Sequence, residues 1–189
     1  MTETRILTLV GSLRAGSINR RLAETAAQTA PAGVDIALYE GLAEIPFYNE
    51  DLDVPGSVPA QAEALRAAVA AADAVLLVTP EYNGTLPAVL KNAIDWASRP
   101  YGAGAVKGKP VAVVSASISP RAAEWAHGDA VKAVGVAGGV VVESAHARFG
   151  TIGERFGEIH PAQDAEALTQ LGATVHELVA AANGTLVTA

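Results

Sequence analysis

The sequence has no cysteine. Disulfides, thiolate metal centres and thiol redox chemistry are thereby excluded. The four histidines, His127, His146, His160 and His176, lack a ligand spacing such as H-x-x-x-H, so no metal site is expected. No G-x-S-x-G elbow offers a serine nucleophile. No G-K-[ST] closes a P-loop, and no G-x-G-x-x-G marks a dinucleotide fold, although Glu40 could mimic its acidic ribose partner. No apolar run reaches the length of a membrane span, and residues 1–13 lack a signal-peptide layout. Charged residues make up only 17%, and the formal net charge of −7 argues against nucleic acid and anionic membranes as partners. A soluble cytoplasmic protein is expected. Any redox chemistry must be carried by an organic cofactor.

What is present is a globular composition, 50% hydrophobic over 189 residues, enough for one domain covering residues 1–189. Strand and helix patterns alternate throughout. Strands are expected at Arg5–Val10, Val34–Tyr39, Ala74–Thr79, Pro110–Ser115 and Gly139–Glu143. Helices are expected at Asn19–Thr29, from Pro59 through about Ala72, at Pro87–Ser98, Arg121–Val136 and Gln163–Ala182. The last of these places Leu168, Leu171, Val175 and Leu178 on one face. Five strands with intervening helices imply an α/β fold with one doubly wound parallel sheet and helices on both faces. The flavodoxin-like order 2-1-3-4-5 fits, and it gathers the loops after strands one, three and four at the switch point.

Two of those loops carry chemistry. The first, Gly11-Ser12-Leu13-Arg14-Ala15-Gly16-Ser17-Ile18-Asn19, offers Ser12, Ser17, Asn19, backbone N–H groups and one cation, Arg14, ahead of a helix N-terminus. That is an anion site in waiting, although Ser and Asn also cap ordinary helices. The second, Thr79-Pro80-Glu81-Tyr82-Asn83-Gly84-Thr85-Leu86-Pro87, has a backbone restrained by proline and opened by Asn-Gly. Together they suggest a phosphate-bearing, flat aromatic ligand. For Glu81 and Tyr82 the alternative is a solvated loop tip.

The pair G-S-L-R-x-G-S-x-N and P-E-Y-N-G-x-x-P-x-x-L-K-N-A-I-D-W resembles the NADPH-dependent FMN reductases, a flavodoxin-like group that includes bacterial quinone, chromate and azo-dye reductases. The resemblance runs from Arg5 to about Val142. It implies FMN, with its phosphate held by Ser12, Arg14, Ser17 and Asn19 and its ribityl chain and ring by Pro80, Glu81, Tyr82, Asn83 and Gly84. It implies two-electron transfer from NADPH or NADH to a small acceptor such as a quinone or free flavin, with no catalytic side chain, since the flavin performs the chemistry. Arg14, Arg99 and Arg121 are the cations available for a nicotinamide 2′-phosphate.

One segment departs from the pattern. The family commonly has a Gly-rich loop after the fourth strand, but here it reads Ser115-Ala116-Ser117-Ile118-Ser119-Pro120-Arg121-Ala122. Hydroxyls of Ser115, Ser117 or Ser119 could substitute. Alternatively, Ser119 is a helix N-cap with Pro120 in the first turn. The departure keeps open a member that has lost flavin and serves as a binding or structural subunit; a flavodoxin-like electron carrier is the other alternative. On helix Leu86–Ser98, apolar positions span roughly half the circumference, more than the ~100° stripe that covers a sheet. A homodimer or homotetramer through this helix, with Val89, Ala93 and Trp96 in the contact, is expected; the alternative places Trp96 in the subunit's own core.

Overall fold

The computed structural model describes residues 3–185. Five strands, β1 (Thr4–Val10), β2 (Val34–Leu38), β3 (Ala74–Thr79), β4 (Pro110–Ala116) and β5 (Val140–Phe149), form one sheet in the order β2-β1-β3-β4-β5. Every neighbouring pair is parallel. The helices are α1 (Ile18–Gln28), α2 (Ala60–Ala71), α3 (Ala88–Ala97), α4 (Glu124–Val136), α5 (Ile152–Phe156) and α6 (Ala165–Ala182). None among the described residues is long and apolar enough to cross a membrane.

Period-two alternation divides the core. Leu7, Leu9, Val75, Leu77, Val111 and Val113 point to one face, where α2, α3 and α4 cover them. Ile6, Val10, Leu76, Val78, Ala112 and Val114 point to the other, under α1 and α6. Every residue of β3 is therefore buried. Edge strand β2 alternates between half-buried and exposed positions, as expected of a strand with a single neighbour. On α6, Leu171, Val175 and Leu178 are buried, while Leu168 is only half-buried; Ala167 and Thr174 complete the inward face.

Three boundaries differ from expectation by two residues or more. β5 continues to Phe149 rather than ending at Glu143. Its pairing with β4 jumps from Val111↔Val141 to Val113↔His146, so an irregularity absorbs the extra residues and a second paired stretch follows. Helix α4 starts at Glu124, not Arg121, because Ala122 and Ala123 both take left-handed backbone, with φ of 54° and 58°. Helix α6 starts at Ala165, where the Asp164 carboxylate accepts from the Ala167 N–H at 2.8 Å.

Candidate functional site

The carboxyl ends of β1, β3, β4 and β5 carry loops that hold one another. The Gly11 N–H donates to Val78 O at 2.8 Å. A Cβ at Gly11 would lie 3.2 Å from Pro87 Cγ and 3.3 Å from Pro80 Cδ, so a residue lacking a side chain suits this approach of β1 to the β3–α3 loop. Asn19 Nδ2 donates to Ala116 O at the end of β4. The Ser117 N–H donates to Phe149 O at the end of β5. Open parallel sheets bind ligands at this edge.

In the β1–α1 loop, Ser17 is the N-cap of α1, its Oγ accepting from the Arg20 N–H. The Ser17 N–H donates to Arg14 O at 3.0 Å. Among the described residues, the backbone N–H groups of Ser12, Leu13, Arg14, Ala15 and Gly16 donate to no protein acceptor. They lie beside the positive end of a helix dipole, the arrangement that binds anions. Ser12 is half-buried and Arg14 is exposed. Asn19 is buried, and its Oδ1 has no hydrogen-bond partner among the described residues. A buried orphan acceptor costs about 1–3 kcal/mol unless something donates to it. Arg20 is no second free cation, because it forms a bidentate pair with Glu40 and also bonds Glu24. Glu40 is thus occupied by Arg20 rather than poised for a ribose.

The β3–α3 loop is a two-residue hairpin. The Tyr82 N–H donates to Thr85 O at 3.1 Å and the Thr85 N–H returns to Tyr82 O at 3.2 Å. Asn83 and Gly84, at φ of 52° and 77°, supply the positive angles of such a turn. Tyr82 projects outward, 51% exposed. Glu81 is neither a solvated tip nor a free carboxylate: its Oε2 accepts from the Trp125 and Ala126 N–H groups at 3.0 and 3.1 Å, on the first turn of α4. The Thr85 hydroxyl donates to Asp129 of the same helix. Trp125, a residue that sequence reasoning missed, lies against Gly84, where a Cβ would be 3.3 Å from its ring, and Arg121 lies 5.0 Å above that ring. The sequence offers no signal for this contact, because an exposed tryptophan on a helix start has no periodic partner.

The β4–α4 loop corrects the hydroxyl readings. Ser115 is fully buried, and its hydroxyl donates to Ala122 O at 2.8 Å, so this side chain does not reach a ligand. Ser117 Oγ accepts from the Ser119 N–H at 3.0 Å, and Ser119 Oγ accepts from the Arg121 N–H. These are local turns in which each hydroxyl oxygen accepts a nearby N–H. Ser119 therefore caps a turn, not α4. Arg99 lies over the Tyr48 ring at 5.3 Å, which leaves Arg14 and Arg121 as the exposed cations among the three.

Beneath this loop sits a buried imidazole. His127 Nδ1 is 3.2 Å from Ser115 Oγ. Since that hydroxyl spends its proton on Ala122 O, the imidazole must donate, which selects the Nδ1–H tautomer. Burial, with repulsion from His146 and Arg148, pushes the His127 pKa down from 6.5 to about 4. The unfolded chain then binds a proton that the folded chain refuses between these values. Stability from this group is full above pH 6.5 and is lost as pH falls towards 4. Urea unfolding at pH 5.0 and 7.5 should show the loss, and His127→Gln should shrink it; an unchanged difference would remove His127 as its source. Among the described residues, no cluster of three or more His, Asp or Glu could hold a metal ion.

The chain is similar to known proteins in sequence and in fold. Residues 4–153 match the family described as NADPH-dependent FMN reductase. A 2-hydroxy-1,4-benzoquinone reductase of a Burkholderia species is 42% identical over 114 residues, 60% of this chain and 61% of that protein. A quinone reductase of Pseudomonas putida is 45% identical over 112 residues, 59% of each chain. The chain thus spans about three fifths of the length of these curated relatives. A solved structure of FerB, a flavoenzyme NAD(P)H:(acceptor) oxidoreductase from Paracoccus denitrificans, superposes with a TM-score of 0.69 at 31% identity, covering 96% of this chain and 92% of that one. With the sheet order, the two loops and the matched span in agreement, this chain belongs to the NADPH-dependent FMN reductase family.

Proposed function

We propose that this protein is an FMN-dependent oxidoreductase that passes two electrons from NADPH or NADH to a quinone, free flavin or similar small acceptor. One observation carries the reading: five consecutive loop N–H groups without acceptors among the described residues, ahead of α1, beside the buried Asn19 Oδ1, which has no donor among them either. A ligand with both a phosphate and hydroxyl donors satisfies that set, and FMN has both. Ser12, Arg14, Ser17 and Asn19 would hold the phosphate end. Pro80, Tyr82, Asn83 and Gly84 would present a backbone edge to the ring, with Glu81 contributing main chain only. Ser117 would contribute its backbone carbonyl at the end of β4, while Ser115, buried between β3 and β5, would support the loop from beneath. Bound there, FMN supplies the two-electron chemistry. The chain's own part is to fix the ring, exclude water and place donor and acceptor in turn at one surface. Within this reading the fold is one flavodoxin-like domain, and a cytoplasmic location follows from dependence on NAD(P)H.

The reading includes a homodimer or homotetramer, with its contact on the outer side of α3 rather than through the expected Ala93 and Trp96. Ala93 and Trp96 are buried within the subunit, so they form no interface. The outer side of α3 instead borders an open groove of about 1050 Å³ against α4, lined by Tyr82, Ala88, Ile94, Tyr101 and Val136 among others. Tyr101 is 91% exposed and Val136 83%. A second copy covering these apolar groups would wall the site beside Tyr82.

Purified protein given FMN should become yellow, bleach with NADPH and recover colour with a quinone. Steady-state rates should give parallel double-reciprocal lines. Intersecting lines would defeat the shared, alternately occupied surface; protein that stays colourless with FMN would defeat the reading itself and favour a flavin-free subunit.

A further inference from the structure

Helix α4 lacks a cap of its own. Its N-cap position is Ala123, whose methyl accepts no hydrogen bond and whose backbone is left-handed. The first helical N–H, on Glu124, is taken by Arg121 O. The next two, on Trp125 and Ala126, would be orphans in a helix that starts this way. Glu81 Oε2 takes both, from a loop 44 and 45 residues away in sequence. We infer that Glu81 is a positioning residue: it caps α4 from the neighbouring loop and thereby sets the spacing between the two loops that would hold the flavin ring.

Three contacts make this a latch rather than an isolated bond. Glu81 holds one arm of the hairpin to the first turn of α4. The Thr85 hydroxyl holds the other arm to Asp129, one turn further along the helix. Between them the Trp125 ring packs on Gly84, whose lack of a side chain leaves room for it. A carboxylate suits the helix end better than a neutral cap, because it also meets the positive pole of the dipole. Sequence-local caps on Ala123 would hold α4 equally well but would leave the hairpin untethered. The β4–α4 loop has no glycine and carries two left-handed alanines, so a fixed partner across the site also helps to hold its unusual backbone in place.

This inference rests on the proposed FMN site, and its test separates the two. In flavin-free protein, Glu81→Ala should speed hydrogen exchange at the Trp125 and Ala126 amides by about tenfold, while Glu81→Gln, which keeps an acceptor oxygen, should leave most of the protection. In titrations with FMN, Glu81→Ala should weaken binding by about tenfold, with Glu81→Gln restoring most of it. Unchanged exchange in Glu81→Ala would overturn the latch. Faster exchange with unchanged FMN affinity would overturn its role in positioning. Equal weakening by both variants with the amides still protected would instead mean direct contact between the carboxylate and the ligand. Failure of the unsubstituted protein to bind FMN would overturn the functional reading and the positioning role with it, while the exchange data would still report on the latch.

Discussion

A Trp96→Glu protein is expected to unfold rather than to separate into subunits. Trp96 is fully buried. Its indole N–H donates to Pro46 O at 2.7 Å, its ring meets the Tyr48 ring edge-on with centroids 5.0 Å apart, and the Arg66 guanidinium lies 5.1 Å above it. It therefore pins the long β2–α2 connection to α3, together with Asn92, which accepts from the Tyr48 N–H and donates to Pro46 O. Truncation as Trp96→Ala should cost about 3–5 kcal/mol. That is a large share of the roughly 5–15 kcal/mol by which domains are stable. A carboxylate in the same space adds desolvation, since Arg66 is already committed to Asp53 and to Trp96 O. Urea unfolding checks the first effect, and light scattering with circular dichroism checks the fate of Trp96→Glu. The matching change on the outside is Val136→Asp in the α3–α4 groove. It should leave the unfolding midpoint within about 0.5 kcal/mol of the parent, as surface changes do, while converting an oligomer to monomer. A folded Trp96→Glu monomer would return Trp96 to an interface, and a wild-type monomer of full activity would remove the interface altogether.

The second large effect is expected on the ligand rather than on the fold. Arg14→Ala should weaken FMN binding by about 1.5–3 kcal/mol, the worth of a hydrogen bond to a charged group. That is roughly a 10- to 150-fold change in Kd. Arg14 suits the test because its side chain is exposed and makes no hydrogen bond among the described residues, so its loss should leave the thermal midpoint alone. Its backbone carbonyl, which accepts from the Ser17 N–H, survives the substitution. Fluorescence titration at two salt concentrations should show the parent's affinity falling with salt more steeply than the variant's. Equal affinity for parent and variant would take the phosphate away from Arg14.

The amino-acid sequence determined the frame of this protein. Apolar runs at β1, β3 and β4 imply strands buried on both faces, and the helices between them allow only a parallel, doubly wound sheet. Asn83-Gly84 between Tyr82 and Thr85 specifies a tight hairpin through local backbone preference. The polar β1–α1 loop ahead of α1 specifies a run of N–H groups without acceptors among the described residues, beside a helix dipole, since both are consequences of local geometry. Each of these features depends on residues close together in the chain.

What tertiary structure decided are the partners brought from afar. The helical pattern of Leu86–Ser98 shows that more than one face is apolar, but not which face meets the subunit's own chain; Pro46 and Tyr48, some 50 residues earlier, claimed Trp96. The serines after β4 look equally available in sequence, yet strand alternation turned Ser115 inward to His127, and local turns engaged the oxygens of Ser117 and Ser119. The far half of β5 has no apolar run to announce it, because its pairing with β4 resumes only after an irregularity. Glu81 sits in the most informative motif of the chain, and its destination was still invisible there. A carboxylate goes to whichever orphan donors the fold brings near, and Ala123 left two of them at the start of α4.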